Sequence, residues 1–276
     1  DRVVLIKPRG ASRFWIQGEP RMGDPYSLGF LKLPVLLKKG ANALLLQTAR
    51  GQLRLEQETP RAMAQIEVAD ALMPDLVIGA PTDSWGAVVV VNASTEELKG
   101  LSLQLSGDGS PALVPDSMVP IPALPPLSIR KVGFPIQTPA PQREGDVVAR
   151  LRLRGNDETL DQARLTLKVK PASAVRKETF RSSIDGSVQY YGLVPRTVSA
   201  DAPTAQPGLI LTLHGAGVEG AGQAAVYQPK SWAHVVAPTN RRPFGFDWED
   251  WGRLDAIEVL ELTREKLNTD LRRTWL

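Results

Sequence analysis

"LILTLHGAG", residues 209–217, decides how the last third of this 276-residue chain is read. Leu209, Ile210, Leu211, Thr212 and Leu213 form a short apolar run of the kind that fills a fully buried strand. His214, Gly215, Ala216 and Gly217 follow as a glycine-rich turn, whose backbone N–H groups can approach a ligand closely. Upstream, "ETFRSSIDGSVQYYGLVP" (178–195) places Asp185-Gly186 between two strand-like runs, a hairpin signal. Downstream, residues 218–229 are read as a short helix and "AHVVAP" (233–238) as a buried strand. "GRLDAIEVLELTREKLN" (252–268) reads as a helix with Ile257, Val259, Leu260 and Leu267 on the apolar arc and Glu258, Glu261 and Glu265 opposite. "LRRTWL" (271–276) begins another strand. A hairpin followed by β-helix-β-helix-β predicts a parallel sheet with crossover helices, and such sheets bind ligands at the carboxyl ends of their strands.

The order "LTLHGAG", "VVAPTNR", "DWGRLDAIEVLE" resembles the N-terminal half of an α/β-hydrolase of the prolyl oligopeptidase type over 176–276. That resemblance implies acyl transfer through an oxyanion hole. It makes His214, Gly215, Ala216 and Gly217 the oxyanion loop, with the N–H of Ala216 or Gly217 as the donor. It also implies a nucleophile, acid and base in the order Ser, Asp, His. No G-x-S-x-G occurs; Ser182, Ser183 and Ser187 stand beside the hairpin and Ser231 precedes a strand. The resemblance therefore puts the catalytic residues beyond Leu276 and expects this chain to be inactive alone, with a protease-sensitive 176–276 segment. His214 is expected to shape its turn and His234 to be structural.

"NRRPFGFDWEDWGRLD" (240–255) has two readings. Trp248 and Trp251 form a substrate-side loop near 214–217, or Asp250 caps the following helix and the tryptophans pack.

Upstream the pattern is β throughout. Residues 1–75 hold "RFWIQGEP" (13–20) with a Gly-Glu-Pro turn, a Lys-Lys-Gly-Ala-Asn turn at 38–42 and an alternating "QLRLEQE" (52–58). "LLKKGANALLL" resembles the late strands of galactose-binding-like jelly-roll domains. Trp15 and Tyr26 are the residues there that offer a sugar-stacking surface; the alternative is a purely structural sandwich. Residues 76–172 carry "SWGAVVVVNAS" (84–94), "LKGLSLQLSG" (98–107), "LSIRKVGFPIQ" (127–137), "GDVVARLRLRG" (145–155) and "TLDQARLTLKVK" (159–170), the spacing of an immunoglobulin- or fibronectin-like sandwich. Nine prolines between Pro111 and Pro141 mark that stretch as edge or connection. Arg150, Arg152 and Arg154 alternate and share one face.

The fold expectation is thus two all-β sandwiches, over 1–75 and 76–172, followed by a truncated α/β-hydrolase domain over 176–276. Net charge is +3 from 33 basic and 30 acidic residues, which marks no nucleic-acid arm. No apolar run of spanning length occurs. No cysteine is present, which removes thiolate metal sites and disulfides. The acidic residues Asp247, Glu249, Asp250 and Asp255 are not read as a metal site, and no cofactor is expected. The β-rich multidomain build is read as that of a secreted or periplasmic bacterial protein whose leader is not visible. Three functions stay open: a prolyl oligopeptidase-type serine peptidase acting on peptide or ester, a carbohydrate esterase with glycan held by the N-terminal sandwich, and a non-catalytic binding protein with a degenerate hydrolase remnant.

Overall fold

A computed structural model describes residues 1–48, 51–107, 117–198, 206–241 and 247–276. About half of the described residues are strand. The first six strands are β1 (Arg2–Arg9), β2 (Ala11–Ile16), β3 (Glu19–Met22), β4 (Leu33–Leu37), β5 (Leu44–Thr48) and β6 (Arg54–Glu58). They form two three-stranded sheets, ordered β4-β1-β6 and β3-β2-β5. Val4, Ile6, Phe14, Ile16, Leu31, Leu33 and Val35 fill the core between them. The turn joining β2 to β3 uses Gln17 (φ 53°) and Gly18 (φ 86°), the left-handed pair that a two-residue hairpin requires. Pro34 stands in β4, at the edge of its sheet, where a missing N–H costs no ladder bond.

Next come β7 (Ala64–Leu72), β8 (Leu76–Val77), β9 (Thr82–Asn92), β10 (Ser102–Gly107), β11 (Ser117–Pro120), β12 (Ser128–Thr138), β13 (Gly145–Gly155) and β14 (Glu158–Lys170). Their sheets run β12-β9-β7 and β11-β10-β13-β14-β8. Leu103, Leu105, Leu151 and Leu153 are buried, while the residues between them face outward, the alternation of a sheet with one covered side. β9 is buried without a break from Gly86 to Asn92, so its valines serve both faces. The proline-rich stretch behaves as its chemistry requires. Pro120 lies in the edge strand β11 and Pro135 in the edge strand β12. Pro111 and Pro115 lie outside the described residues.

The last elements are β15 (Arg176–Arg181), β16 (Val188–Val194), β17 (Gly208–Leu211), α1 (Gly220–Ala225), β18 (Ala233–Ala237), α2 (Asp250–Lys266) and β19 (Thr274–Trp275). Their sheet is ordered β15-β16-β18-β17-β19. β16 is antiparallel to β15 and β18; β17 is parallel to β18 and β19. One core is Phe180, Tyr191, Leu193, Leu209, Leu211, Val236, Ala256 and Val259, and a second holds Val194, Ala224, Val235 and Ala237.

The chain is all-β with multiple sheets, and the expectation of a truncated α/β-hydrolase domain is corrected. Only two helices occur among the described residues, of 6 and 17 residues. The helix read over 218–229 shrinks to Gly220–Ala225 because glycines at 220 and 222 weaken it and its N-cap Glu219 makes no side-chain cap.

By internal packing the chain divides into two compact units. One comprises Asp1–Ala71, Ala87–Phe134 and Val148–Leu165; the other comprises Leu72–Gly86, Pro135–Val147 and Thr166–Leu276. Within the first, Leu5 packs with Val89, Val91 and Ala93.

Candidate functional site

The turn singled out in the sequence leaves the carboxyl end of β17. His214 is buried, and Gly215, Ala216 and Gly217 are exposed. Gly217 adopts φ 77°, a left-handed conformation that glycine takes without strain. The imidazole Nδ1 lies 2.9 Å from the Gly215 carbonyl, so Nδ1 carries the proton and donates it to the turn's own backbone. Its Nε2 is buried without a hydrogen-bond partner. His214 thus shapes the turn.

Trp248 comes to this turn and Trp251 does not. The Trp248 indole N–H donates to the His214 carbonyl at 3.0 Å, and the two rings meet edge-on at 5.1 Å. Trp251 is exposed, with the Arg241 guanidinium carbon 5.8 Å from its ring centre. Asp250 does not cap α2. The N-cap position belongs to Glu249, which makes no side-chain cap, and Asp250 is the first helical residue with φ 41°. Arg242 and residues 243–246 of the same stretch lie outside the described residues.

The strongest polar convergence is one the sequence reading missed. β18 is followed, after Pro238, by Thr239, Asn240 and Arg241, the last two with φ of 58° and 52°. Consecutive left-handed residues turn their N–H groups toward one point. The Asp255 carboxylate occupies that point, accepting from the N–H groups of Thr239, Asn240 and Arg241 at 3.2, 2.9 and 3.4 Å. Asp255 is completely buried, and Arg241 Nε stands 3.5 Å from its other oxygen. Burial pushes this carboxyl up from its ordinary range, while Arg241 and the three backbone donors pull it back. Arg241 also reaches Glu258 at 3.1 Å and Ser182 Oγ at 2.9 Å. Glu258 in turn accepts from Ser182 Oγ at 2.8 Å and from the Ser183 N–H at 2.6 Å. The hairpin serines are therefore tied to a carboxylate on α2.

That geometry explains why the helical pattern misled. The buried residues of α2 are Gly252, Asp255, Ala256, Val259 and Thr263. Ile257, placed on the apolar arc by sequence, is 41% exposed, and Glu258 faces the hairpin. The seam includes an acid and a threonine, which hydropathy assigns to solvent. The detectable signal was the Thr239-Asn240 pair after a buried strand, whose N–H groups need an acceptor. His234 is structural: its Nδ1 accepts the Arg196 N–H at 3.1 Å, and burial, with Arg196 and Arg176 adding to it, lowers its pKa to about 4.

A second surface lies on the first sandwich. Phe14 and Ile16 point into the core, so Arg13 and Trp15 point out. Across the ladder Trp15 faces Pro20 and Leu45, and Arg13 faces Met22 and Gln47. Leu45 and Met22 are 66% and 57% exposed. An indole partly open to solvent is therefore flanked by apolar neighbours and bordered by an arginine and an amide. Tyr26 stands in the turn after β3, where Asp24 accepts the N–H groups of Leu28 and Gly29 at 2.9 and 2.7 Å.

No protein-family model matches the sequence, and no curated protein matches it. Solved structures do match in part. A putative β-galactosidase from Bacteroides fragilis aligns at TM-score 0.36 and 13% identity, over 81% of this chain and 35% of its own. A glycosyl hydrolase family 2 member from Bacteroides cellulosilyticus aligns at TM-score 0.34 and 11% identity, over 80% and 31%. An exo-chitosanase of Amycolatopsis orientalis aligns at TM-score 0.35 and 11% identity, over 75% and 27%. This chain spans about a third of the length of these proteins. With about half of the described residues in strands and only two helices among them, the resemblance to prolyl oligopeptidases is overturned. The serine-peptidase function and the peptide or ester substrate fall with it.

Proposed function

We propose that this chain is a carbohydrate-binding accessory region, with glycan held on the outer face of the β3-β2-β5 sheet. The reading keeps the division into 1–75, 76–172 and 176–276 as its working domain scheme and places the protein outside the cytoplasm. It rests on one observation, the Trp15 face, and not on the distant likeness to solved structures. A pyranose ring presents an apolar C–H face and an equatorial rim of hydroxyls. A partly exposed indole between Leu45 and Pro20 matches the first, and Arg13 and Gln47 match the second. No helix among the described residues is long and apolar enough to cross a membrane.

The test is affinity electrophoresis against neutral polysaccharides, including galactan, mannan and dextran. Wild-type protein is expected to be retarded by at least one of them. Trp15→Ala should weaken that binding about tenfold, the scale of one aromatic contact. Retardation that is unchanged in Trp15→Ala, or absent from every neutral glycan, would sink the reading.

A further inference from the structure

We propose that the outer face of β10, β13 and β14 is a second binding surface, and that its ligand is an acidic polysaccharide. "RLRLR" (150–154) alternates along β13, so Leu151 and Leu153 are fully buried and Arg150, Arg152 and Arg154 stand in a row on the other side. Alternate residues of a strand are about 6.7 Å apart, so the row extends about 13 Å. Directly across it on β10 stand Ser106, Gln104 and Ser102. On the β14 side, Gln162 and Arg164 join Arg150 around a shallow concavity of about 320 Å³.

Among the described residues, the charges on Arg152 and Arg154 meet no carboxylate. Arg152 donates to Ser106 Oγ at 3.4 Å; Arg154 donates to Gln104 Oε1 at 3.4 Å and to the Asp157 carbonyl at 2.7 Å. Asp161 of β14, in phase with buried Leu165, is committed to Arg61 at 2.9 Å and to the Ile66 N–H at 2.7 Å. Arg152 and Arg154 thus stand side by side on one face with only neutral groups as their partners among the described residues. Side-by-side guanidinium groups repel, and an extended anion relieves that repulsion.

Charge complementarity sets the ligand's sign, and the neighbours set its class. The planar guanidinium fork fits a carboxylate or a sulfate ester through paired N–H donors. The facing row of serine, glutamine and serine offers hydroxyl and amide partners for sugar hydroxyls. The residues of this face include no aromatic ring, so the stacking platform used by single-stranded nucleic acid is missing among them. A glycan bearing uronate or sulfate groups meets all three conditions. This surface is separate from the Trp15 face, and either assignment can fail without the other.

The test uses the whole chain with four probes: polygalacturonate, dextran sulfate, neutral dextran and duplex DNA. Binding is read by fluorescence anisotropy over a range of sodium chloride. Two variants divide the face, Arg152→Gln with Arg154→Gln, and Arg150→Gln with Arg164→Gln; circular dichroism checks that each is folded. Wild-type protein is expected to bind polygalacturonate or dextran sulfate, more weakly as salt rises. The tighter of the two identifies the acid group. Each double variant should lose about tenfold in affinity, while Trp15→Ala keeps it. The proposal is overturned if neither acidic glycan binds, if both double variants bind like wild type, or if duplex DNA binds as tightly as the better glycan.

Discussion

Replacing Gly192 with alanine tests how the short helix α1 is seated on its sheet. Gly192 lies in β16, opposite Lys177 of β15 and Ala237 of β18. A Cβ built there would stand 2.6 Å from the Gly220 carbonyl oxygen, 2.7 Å from Ala224 Cβ and 3.1 Å from Ala221 Cα. Carbon atoms in contact normally sit about 3.5–4.0 Å apart, so α1 must retreat by about 1 Å. Two of the three neighbours are backbone atoms, and no rotamer change relieves them. If the helix stays, the overpacking costs about 1–3 kcal/mol. If it lifts, the loss is the burial of the Ala224 methyl, about 0.8 kcal/mol, together with its packing on Val194, Val235 and Ala237. The cheaper route caps the penalty, so Gly192→Ala should cost about 2 kcal/mol, and Gly192→Val little more. The chain has two compact units, and one global transition is not assumed. Amide hydrogen exchange gives the local answer. The Gln223 N–H, bonded to Glu219 O at 2.9 Å, and the Tyr227 N–H, bonded to Ala224 O at 3.1 Å, should exchange about 30-fold faster. Adding Ala224→Gly removes one clash but leaves the Gly220 carbonyl, so it should restore only part of the protection. Wild-type exchange rates in Gly192→Ala would refute the close approach of α1 to β16.

Other perturbations reach different parts of the same unit. Asp255→Ala strips the acceptor from three backbone N–H groups and should destabilise by about 2–4 kcal/mol in urea titration; a change under about 0.5 kcal/mol would show that water replaces the carboxylate freely. Trp248→Phe keeps the ring but loses the bond to the His214 carbonyl, and a cost of about 1 kcal/mol in thermal unfolding is expected. His234 has a pKa of about 4 when folded against an ordinary 6.5, so the unfolded chain binds its proton first; stability is complete above pH 6.5 and declines as pH falls toward 4. His234→Gln should flatten that decline in pH-dependent melts. Glu178 acts lower: burial raises its pKa, but Lys266 and Arg176 more than offset this and hold it below 4.5. Its contribution is present above pH 4.5 and is lost in more acidic solution, so Glu178→Gln should lower stability by a constant amount above pH 4.5, and its melts should converge with those of wild type at lower pH.

The β-strands were legible because one-sided burial writes itself into alternation. "GDVVARLRLRG" became β13 at Gly145–Gly155, and "TLDQARLTLKVK" falls within β14, Glu158–Lys170. The hairpin around Asp185-Gly186 and the strand at 209–213 also appear, as β15, β16 and β17. Pairing was not legible. β1 sits between β4 and β6, and β16 pairs with β18 rather than β17, because such partners depend on long-range packing that no local pattern records. The seam of α2 was invisible for a related reason. Asp255 is inside because the end of β18 needs an acceptor, and nothing in the helix's own hydropathy says so.

The ends of β17 and β18 show the same dependence on distant residues. A strand ending in a tight turn presents backbone donors at its carboxyl end, and spacing alone can locate such an end. Whether those donors meet a ligand depends on what the rest of the chain brings there. At the end of β18 three of them are already satisfied by Asp255. At the end of β17 the His214 ring turns its Nδ1 proton back to the Gly215 carbonyl, and the Trp248 indole covers the His214 carbonyl. Asp255 and Trp248 both lie well along the sequence from the backbone groups they meet, so the local pattern does not record either contact. The groups facing outward on the sheets are of another kind: the Trp15 indole of β2 between apolar neighbours on β3 and β5, and the Arg152 and Arg154 guanidinium groups of β13 opposite neutral side chains on β10. A sheet face presents regularly spaced side chains to an extended partner, which is the geometry of a polysaccharide.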